Sequence, residues 1–212
     1  MKGEKPTLAM FLGSRGGYLA FRQSMLEVRR HVVKKGAVYL VEHRYKPENE
    51  SLMLDFKSMG MDLDEHEVKD GMCLKNGFYT CRGIEDERNP HRSKRKVPAI
   101  ALREGGEGIY FHDFETVLGI EDMCNFQIDK AHESGYKNDM AIVFLSGYGG
   151  DGCKSLENAG KLGTRVFIQE PETAAVKQMP NNAIQTAKML NLDFDVLPPY
   201  GIGRKIDEFL TD

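Results

Sequence analysis

No apolar run in this chain of 212 residues approaches the ~18 that would cross a bilayer. The opening MKGEKPTLAMFLGS is too short and too soon interrupted for a signal peptide, so a cytoplasmic location with no transmembrane segment is the expectation. Charge of one sign is missing as well. The 29 Lys and Arg against 32 Asp and Glu leave a net charge of −3, which excludes a global basic field for nucleic acid. Cysteine is sparse: Cys73, Cys81, Cys124 and Cys153 form no CxxC pair and read as reduced thiols, neither a disulfide framework nor a zinc site. Internal repeats, low-complexity tracts and linkers are absent too. With 41% hydrophobic residues the chain can bury a sizeable core, and one domain over 1–212 is expected.

What is present alternates. Residues 8–12 (LAMFL) read as a short buried strand, 13–17 as a glycine turn, and 18–35 as a helix through Leu19, Met25, Leu26, Val28 and Val32. A second buried strand, 37–41 (AVYLV), precedes an amphipathic helix over 48–59. Strand, helix, strand, helix is the signature of a parallel sheet covered by helices. The middle differs: 67–83 and 97–113 carry Asn-Gly or Gly-Gly turns between alternating runs and predict antiparallel hairpins. Between them, 85–96 (EDERNPHRSKRK) has five basic residues in its last nine. It reads either as a solvated flexible loop or as a docking element for an acidic protein or membrane surface. Alternation then resumes with helix 121–134, strand 141–146, the turn GYGGDG, helix 151–162, strand 164–169, helix 182–190, strand 194–197 and a last helix from about Ile202. The fold class expected is α/β, doubly wound, with a mainly parallel sheet, helices on both faces and an antiparallel hairpin insert.

Sites in open parallel sheets form where the carboxyl ends of strands meet their loops. Three predicted strand ends carry chemistry. Ser14 in FLGSRGG sits at a strand-to-helix turn, where it suits a structural turn or helix cap, an anion-binding loop or a nucleophile. The stretch lacks the GK[ST] ending of a P-loop and the G-x-G-x-x-G dinucleotide fingerprint, which argues against a phosphate or nucleotide binder. His43 follows AVYLV directly, as a surface histidine or a base. Its neighbour Glu42 is a poor orienting acid, since successive strand residues point to opposite faces. Asp151 in GYGGDG reads as the N-cap of the following helix or as a catalytic acid. Taken together they gain meaning: a serine hydroxyl needs a base, an imidazole serves near neutrality, and a carboxylate fixes its tautomer.

These residues resemble the catalytic domain of the CheB-type chemotaxis protein-glutamate methylesterases, over roughly 7–210. GSRGG is similar to the family's nucleophile turn G-x-S-x-G-G, VEHRYKP to its Q-H-M-P stretch, and LSGYGGDG to its T-G-M-G-x-D-G. KDGMCLKNGFY, IQEPETA, QMPNNAI and DFDVLPPYGI resemble four further motifs in family order. The resemblance implies a serine hydrolase of γ-glutamyl methyl esters on a chemoreceptor-like protein, with Ser14, His43 and Asp151 as a triad. It implies backbone oxyanion donors near Arg15 and Tyr148, which would also shape substrate binding, and no metal or organic cofactor.

Four departures stand out. Leu12 replaces the first glycine of the serine turn, Arg15 follows the serine in place of a small polar residue, Glu42 replaces glutamine, and Tyr148 replaces methionine. A backbone donor survives a change of side chain, so Tyr148 keeps that role while reshaping the pocket, and Arg15 offers a cation to a carboxylate-rich substrate surface. Family members usually carry an N-terminal receiver domain. A first strand near Leu8 leaves no room for one, so the expectation is either regulation by a separate receiver protein or a stand-alone relative outside chemotaxis. The alternative is a catalytically silent binding module that keeps the fold.

Overall fold

The computed structural model describes residues 5–14, 16–28, 35–42, 66, 68–81, 84–85, 94–103, 106–115 and 122–211. Six parallel strands form the main sheet: β1 (Thr7–Gly13), β2 (Gly36–Glu42), β3 (Gly77–Cys81), β7 (Met140–Phe144), β8 (Arg165–Gln169) and β9 (Asp195–Leu197). Their spatial order is β3-β2-β1-β7-β8-β9. The uninterrupted apolar runs of β1 and β7 follow from burial on both sides, as parallel sheets require. Along β1 the pleat sends Leu8, Met10 and Leu12 into one apolar cluster and Ala9 and Phe11 into another.

Helices cover both faces. On the Phe11 face lie α1 (Gly17–Met25) and α5 (Pro199–Phe209), contributing Phe21, Met25, Ile202, Ile206 and Phe209. The Leu12 face is covered by α2 (Met123–Glu133), α3 (Leu156–Leu162) and α4 (Gln178–Met189). The helices α1 and α5 approach so closely that a Cβ on Gly203 would lie 2.1 Å from the Ser24 carbonyl oxygen. A second sheet is antiparallel, in the order β4 (Ile84–Glu85), β5 (Lys94–Arg103), β6 (Gly106–Glu115). It is tied to the main body at the Pro98 carbonyl, which accepts from Tyr39 Oη (2.8 Å) and Gln127 Nε2 (2.8 Å).

The expected class is therefore the observed one, with four local corrections. First, the helix expected over 18–35 ends at Met25. Its amides then switch to the nearer carbonyl, Glu27 N–H to Ser24 (3.1 Å) and Val28 N–H to Met25 (3.2 Å). Leu19 and Leu26, counted as part of an apolar stripe, are 57% and 53% exposed, while Ala20, Phe21 and Met25 face the core. Second, 67–83 is not a hairpin. GFYTC pairs parallel with β2 as β3, and among the described residues the preceding stretch makes a single antiparallel bridge, Met72 to Ile109. Third, both ends of the charged loop 85–96 are strand: Glu85 pairs with Arg95 and Ile84 with Lys96. Fourth, the helix expected over 151–162 opens with a 3-10 turn, Cys153–Ser155, ahead of α3. The helix expected over 48–59 lies outside the described residues.

Candidate active site

The strand order reverses between β1 and β7: the chain leaves β1 toward β2 and β3, and leaves β7 toward β8 and β9. The loops after those two strands therefore diverge and open a crevice at their carboxyl ends, the place where doubly wound sheets bind ligands. Ser14 and the glycine loop 147–152 occupy that place.

Ser14 follows β1 directly. Its N–H donates to the Ser146 carbonyl (3.1 Å), and its own carbonyl accepts from Gly17 N–H (3.0 Å), which closes a tight turn into α1. Gly16 holds φ of +81°, a left-handed conformation that side chains resist, and a Cβ there would fall 2.7 Å from Ala175 Cβ. The Ser14 hydroxyl accepts a hydrogen bond from the Tyr148 backbone N–H at 2.9 Å. A hydroxyl has one proton to donate and two lone pairs to receive, so this contact leaves the Ser14 proton available to a base. The approach depends on Gly147, where a Cβ would sit 2.6 Å from Ser14 Oγ.

Loop 145–150 is held from behind by the end of β8, the segment after it and the start of α4. Gln169 Oε1 accepts from Ser146 N–H (2.8 Å), and Gln169 Nε2 donates to Thr173 Oγ1 (3.2 Å). Ser146 Oγ accepts from Val176 N–H (2.9 Å), and Gly147 N–H donates to the Val176 carbonyl (3.1 Å). Met179 N–H donates to the Gly147 carbonyl (2.9 Å), and Asn182 Nδ2 to the Gly149 carbonyl (2.8 Å). With both neighbours of Tyr148 pinned, its amide is aimed by the scaffold rather than by its own side chain, which is 55% exposed.

Asp151 is buried, and the reading of it as the cap of its own following helix is corrected. The 3-10 turn that follows is capped by Gly152 with no side-chain bond. Asp151 instead receives the start of α2, 27 residues back: Cys124 N–H donates to Oδ2 (2.8 Å) and Asn125 N–H to Oδ1 (3.1 Å). Asn125 Nδ2 also donates to Oδ1 (3.3 Å). The first amides of a helix lack partners within it, so a carboxylate from another element satisfies them and is itself fixed. Nearby, the Lys154 ammonium bonds Asp122 (2.8 Å) and holds that carboxyl below its ordinary range. Burial pushes the Cys153 thiol up, which makes it a poor nucleophile.

The structure brings Ser14 and Tyr148 into contact and places Asp151 three residues further along the same loop. His43 and Arg15 lie outside the described residues. The last residue of β2, Glu42, pairs with Gly13 in the sheet. Sequence reasoning gave no role to Gln169, Asn182 or Asn125. The first two sit in the quoted IQEPETA and QMPNNAI motifs, which were the available signal. Asn125 carries no motif and had none. Among the described residues, no group of three His, Cys, Asp or Glu could hold a metal ion, and no helix is long and apolar enough to cross a membrane.

The fold and this serine-bearing crevice define a class: doubly wound α/β proteins whose site lies at the strand reversal. The chain belongs to the CheB methylesterase family, whose model matches residues 11–206. Among solved structures it is similar to the catalytic domain of the CheB methylesterase of Thermotoga maritima, at 23% identity and a TM-score of 0.76. That match covers 97% of this chain and 99% of the other. No curated protein matches the chain significantly. Family membership and the shared fold together support protein-glutamate methylesterase function.

Proposed function

We propose that this single domain, residues 1–212, hydrolyses γ-glutamyl methyl esters through a Ser14, His43, Asp151 triad. His43 takes the Ser14 proton as Oγ attacks the ester carbonyl carbon, and Asp151 steadies the imidazolium. The carbonyl oxygen becomes an anion that the backbone N–H groups of Tyr148 and Arg15 receive. As the intermediate collapses, the C–O bond to methoxide breaks and His43 returns the proton, releasing methanol. A water activated by His43 then adds to the acyl-serine, and the glutamate carboxylate and Ser14 are regenerated. No metal or organic cofactor enters.

The observation that carries this reading is the 2.9 Å bond from Tyr148 N–H to Ser14 Oγ. An oxyanion forms one carbon away from the attacking oxygen, so a rigid donor already resting on that oxygen needs little movement to reach it. Removing one such donor typically costs about 10²–10³ in kcat. The substrate is a methylated chemoreceptor-like protein in the cytoplasm, contacted by Tyr148 and by the Arg15 side chain, with a separate receiver protein as regulator.

Ser14→Ala tests it. Wild-type protein should release methanol from methylated receptor or hydrolyse a small activated ester, and the variant should do neither. Fluorophosphonate labelling should map to Ser14. Equal turnover by both proteins, or labelling at another serine, removes Ser14 as the nucleophile.

A further inference from the structure

Three donors of α2 grip the Asp151 carboxylate among the described residues. Oδ2 accepts from the Cys124 backbone, and Oδ1 accepts from both the backbone and the side-chain N–H groups of Asn125. Asn125 is itself 6% exposed and fully engaged. Its Oδ1 accepts from Ser155 N–H (3.2 Å) and lies 3.2 Å from Ser155 Oγ, which also reaches the Asn125 carbonyl (3.3 Å). Its Nδ2 points at Asp151 Oδ1 and, more distantly, at Asp122 Oδ1 (3.4 Å).

This arrangement settles which way the amide faces. A backbone N–H can only donate, so the atom opposite Ser155 must be the Asn125 oxygen, and the NH2 group is left on the carboxylate side. Ser155 follows Asp151 by four residues, so a short loop supplies both the carboxylate and the group that orients its clamp. The two backbone amides, one on each oxygen, fix the line through Oδ1 and Oδ2 but leave the carboxylate able to tilt about it. The third donor, Asn125 Nδ2 on Oδ1, restrains that tilt and so fixes the plane.

We infer that Asn125 is a positioning residue for the reaction, acting through Asp151: with Ser155 it sets the rotation of the carboxylate on which the general base depends. The inference rests on the triad reading above. Backbone amides alone would leave Asp151 paired, so the specific task of the Asn125 side chain is orientation, not charge.

A double-mutant cycle in the full chain separates these possibilities, with hydrolysis of a small activated ester and methanol release from a γ-glutamyl methyl ester peptide as readouts. Asn125→Ala should lower kcat about 10- to 100-fold with KM within about twofold, the scale of a misplaced catalytic group. Asp151→Ala should lower kcat by more, and adding Asn125→Ala to it should change kcat no further. Ser155→Ala, which keeps the Ser155 N–H, should cost only a few-fold. Should circular dichroism show Asn125→Ala unfolded, Asn125→Asp carries the test. It keeps the shape and sets an acceptor against Asp151 Oδ1, so its kcat relative to wild type at the same pH should fall, and that ratio should recover as pH drops and a proton is shared between the carboxylates.

If wild type lacks turnover, or Asp151→Ala is as fast as wild type, the triad reading fails and takes the Asn125 role with it. If Asp151→Ala is slow but folded Asn125→Ala is not, the positioning role fails alone. It fails equally if Asn125→Ala slows the Asp151→Ala protein by the same factor as wild type, or if Asn125→Asp is as fast as wild type at every pH.

Discussion

Replacing Gly147 by alanine tests the geometry proposed for Ser14 as nucleophile without replacing any residue of the proposed triad. The backbone itself tolerates the change, since Gly147 is not among the glycines with positive φ. Space is the obstacle. The new Cβ would stand 2.6 Å from Ser14 Oγ, 3.1 Å from Ser14 N and 3.2 Å from Met179 Sδ. The thioether can give way cheaply, but the Ser14 nitrogen is locked by its bond to the Ser146 carbonyl. The hydroxyl must therefore rotate away, and the Tyr148 contact breaks. Loss of one preorganised donor is worth about 2.7–4 kcal/mol, so kcat should fall about 10²–10³-fold. The overpacking should cost about 1–3 kcal/mol of stability, or a thermal midpoint lower by about 2–4 °C per kcal/mol in a chain of this size. The assay is turnover of an activated ester alongside the rate of fluorophosphonate labelling of Ser14. Gly149→Ala is the control: φ is +74° but nothing lies within 4 Å of a Cβ, so it should lose about 1–2 kcal/mol to backbone strain and keep most activity. Turnover of Gly147→Ala within about twofold of wild type, with Ser14 labelled at the same rate, would refute the role given to this close approach.

Three further outcomes are expected. Gly203→Ala drives a methyl against the Ser24 carbonyl and to 2.8 Å from Glu27 Cβ. Backbone atoms cannot yield cheaply, so urea unfolding should show a loss of about 3 kcal/mol or more, while the folded fraction keeps its kcat. Burial holds the His132 imidazole below the ordinary histidine range, against the opposing pull of the Asp129 carboxylate, and its Nε2 meets Thr164 Oγ1 at 3.1 Å. The unfolded chain thus binds that proton more readily than the folded one. Stability from the neutral ring is complete above the unfolded value of about 6.5 and falls as pH drops through it toward the lower folded value. Urea midpoints at about pH 7.5 and 5.5 should therefore fall further for wild type than for His132→Asn, and equal slopes would contradict the assignment. Asn182→Ala removes the bond to the Gly149 carbonyl and should slow turnover about tenfold by loosening the Tyr148 amide, with a stability loss of only about 1 kcal/mol. Unchanged turnover would mean the loop needs no such brace.

Much of the framework could be read locally. LAMFL, AVYLV and AIVFL announce strands buried on both faces because each is apolar without alternation, and the glycine turn after LAMFL marks where β1 hands over to α1. The pair of alternating runs around Gly105-Gly106 was equally legible, and β5 and β6 pair antiparallel. Errors arose where a local pattern had two physical solutions. The Asn76-Gly77 turn fits a hairpin, yet β3 finds its partner in β2, 40 residues upstream, because the edge of the parallel sheet lets Phe78 and Tyr79 both be fully buried. The periodicity of 18–35 counted Leu19 and Leu26 as core, although the close crossing at Ser24 and Gly203 leaves room only for the other face of α1.

The sequence by itself determined the ingredients of the candidate site: a serine in a glycine turn after a buried strand, and an aspartate in a second glycine loop after another. Those are properties of a few adjacent residues, set by φ preferences and by burial. Only the tertiary structure decided that β1 and β7 are neighbours at the strand reversal, that the amide of Tyr148 rests on Ser14, and that Asp151 caps α2 and not its own helix. Each of these joins groups tens of residues apart in the chain. Such pairings are chosen by the packing of the whole sheet and its helices, to which no short stretch of sequence has access.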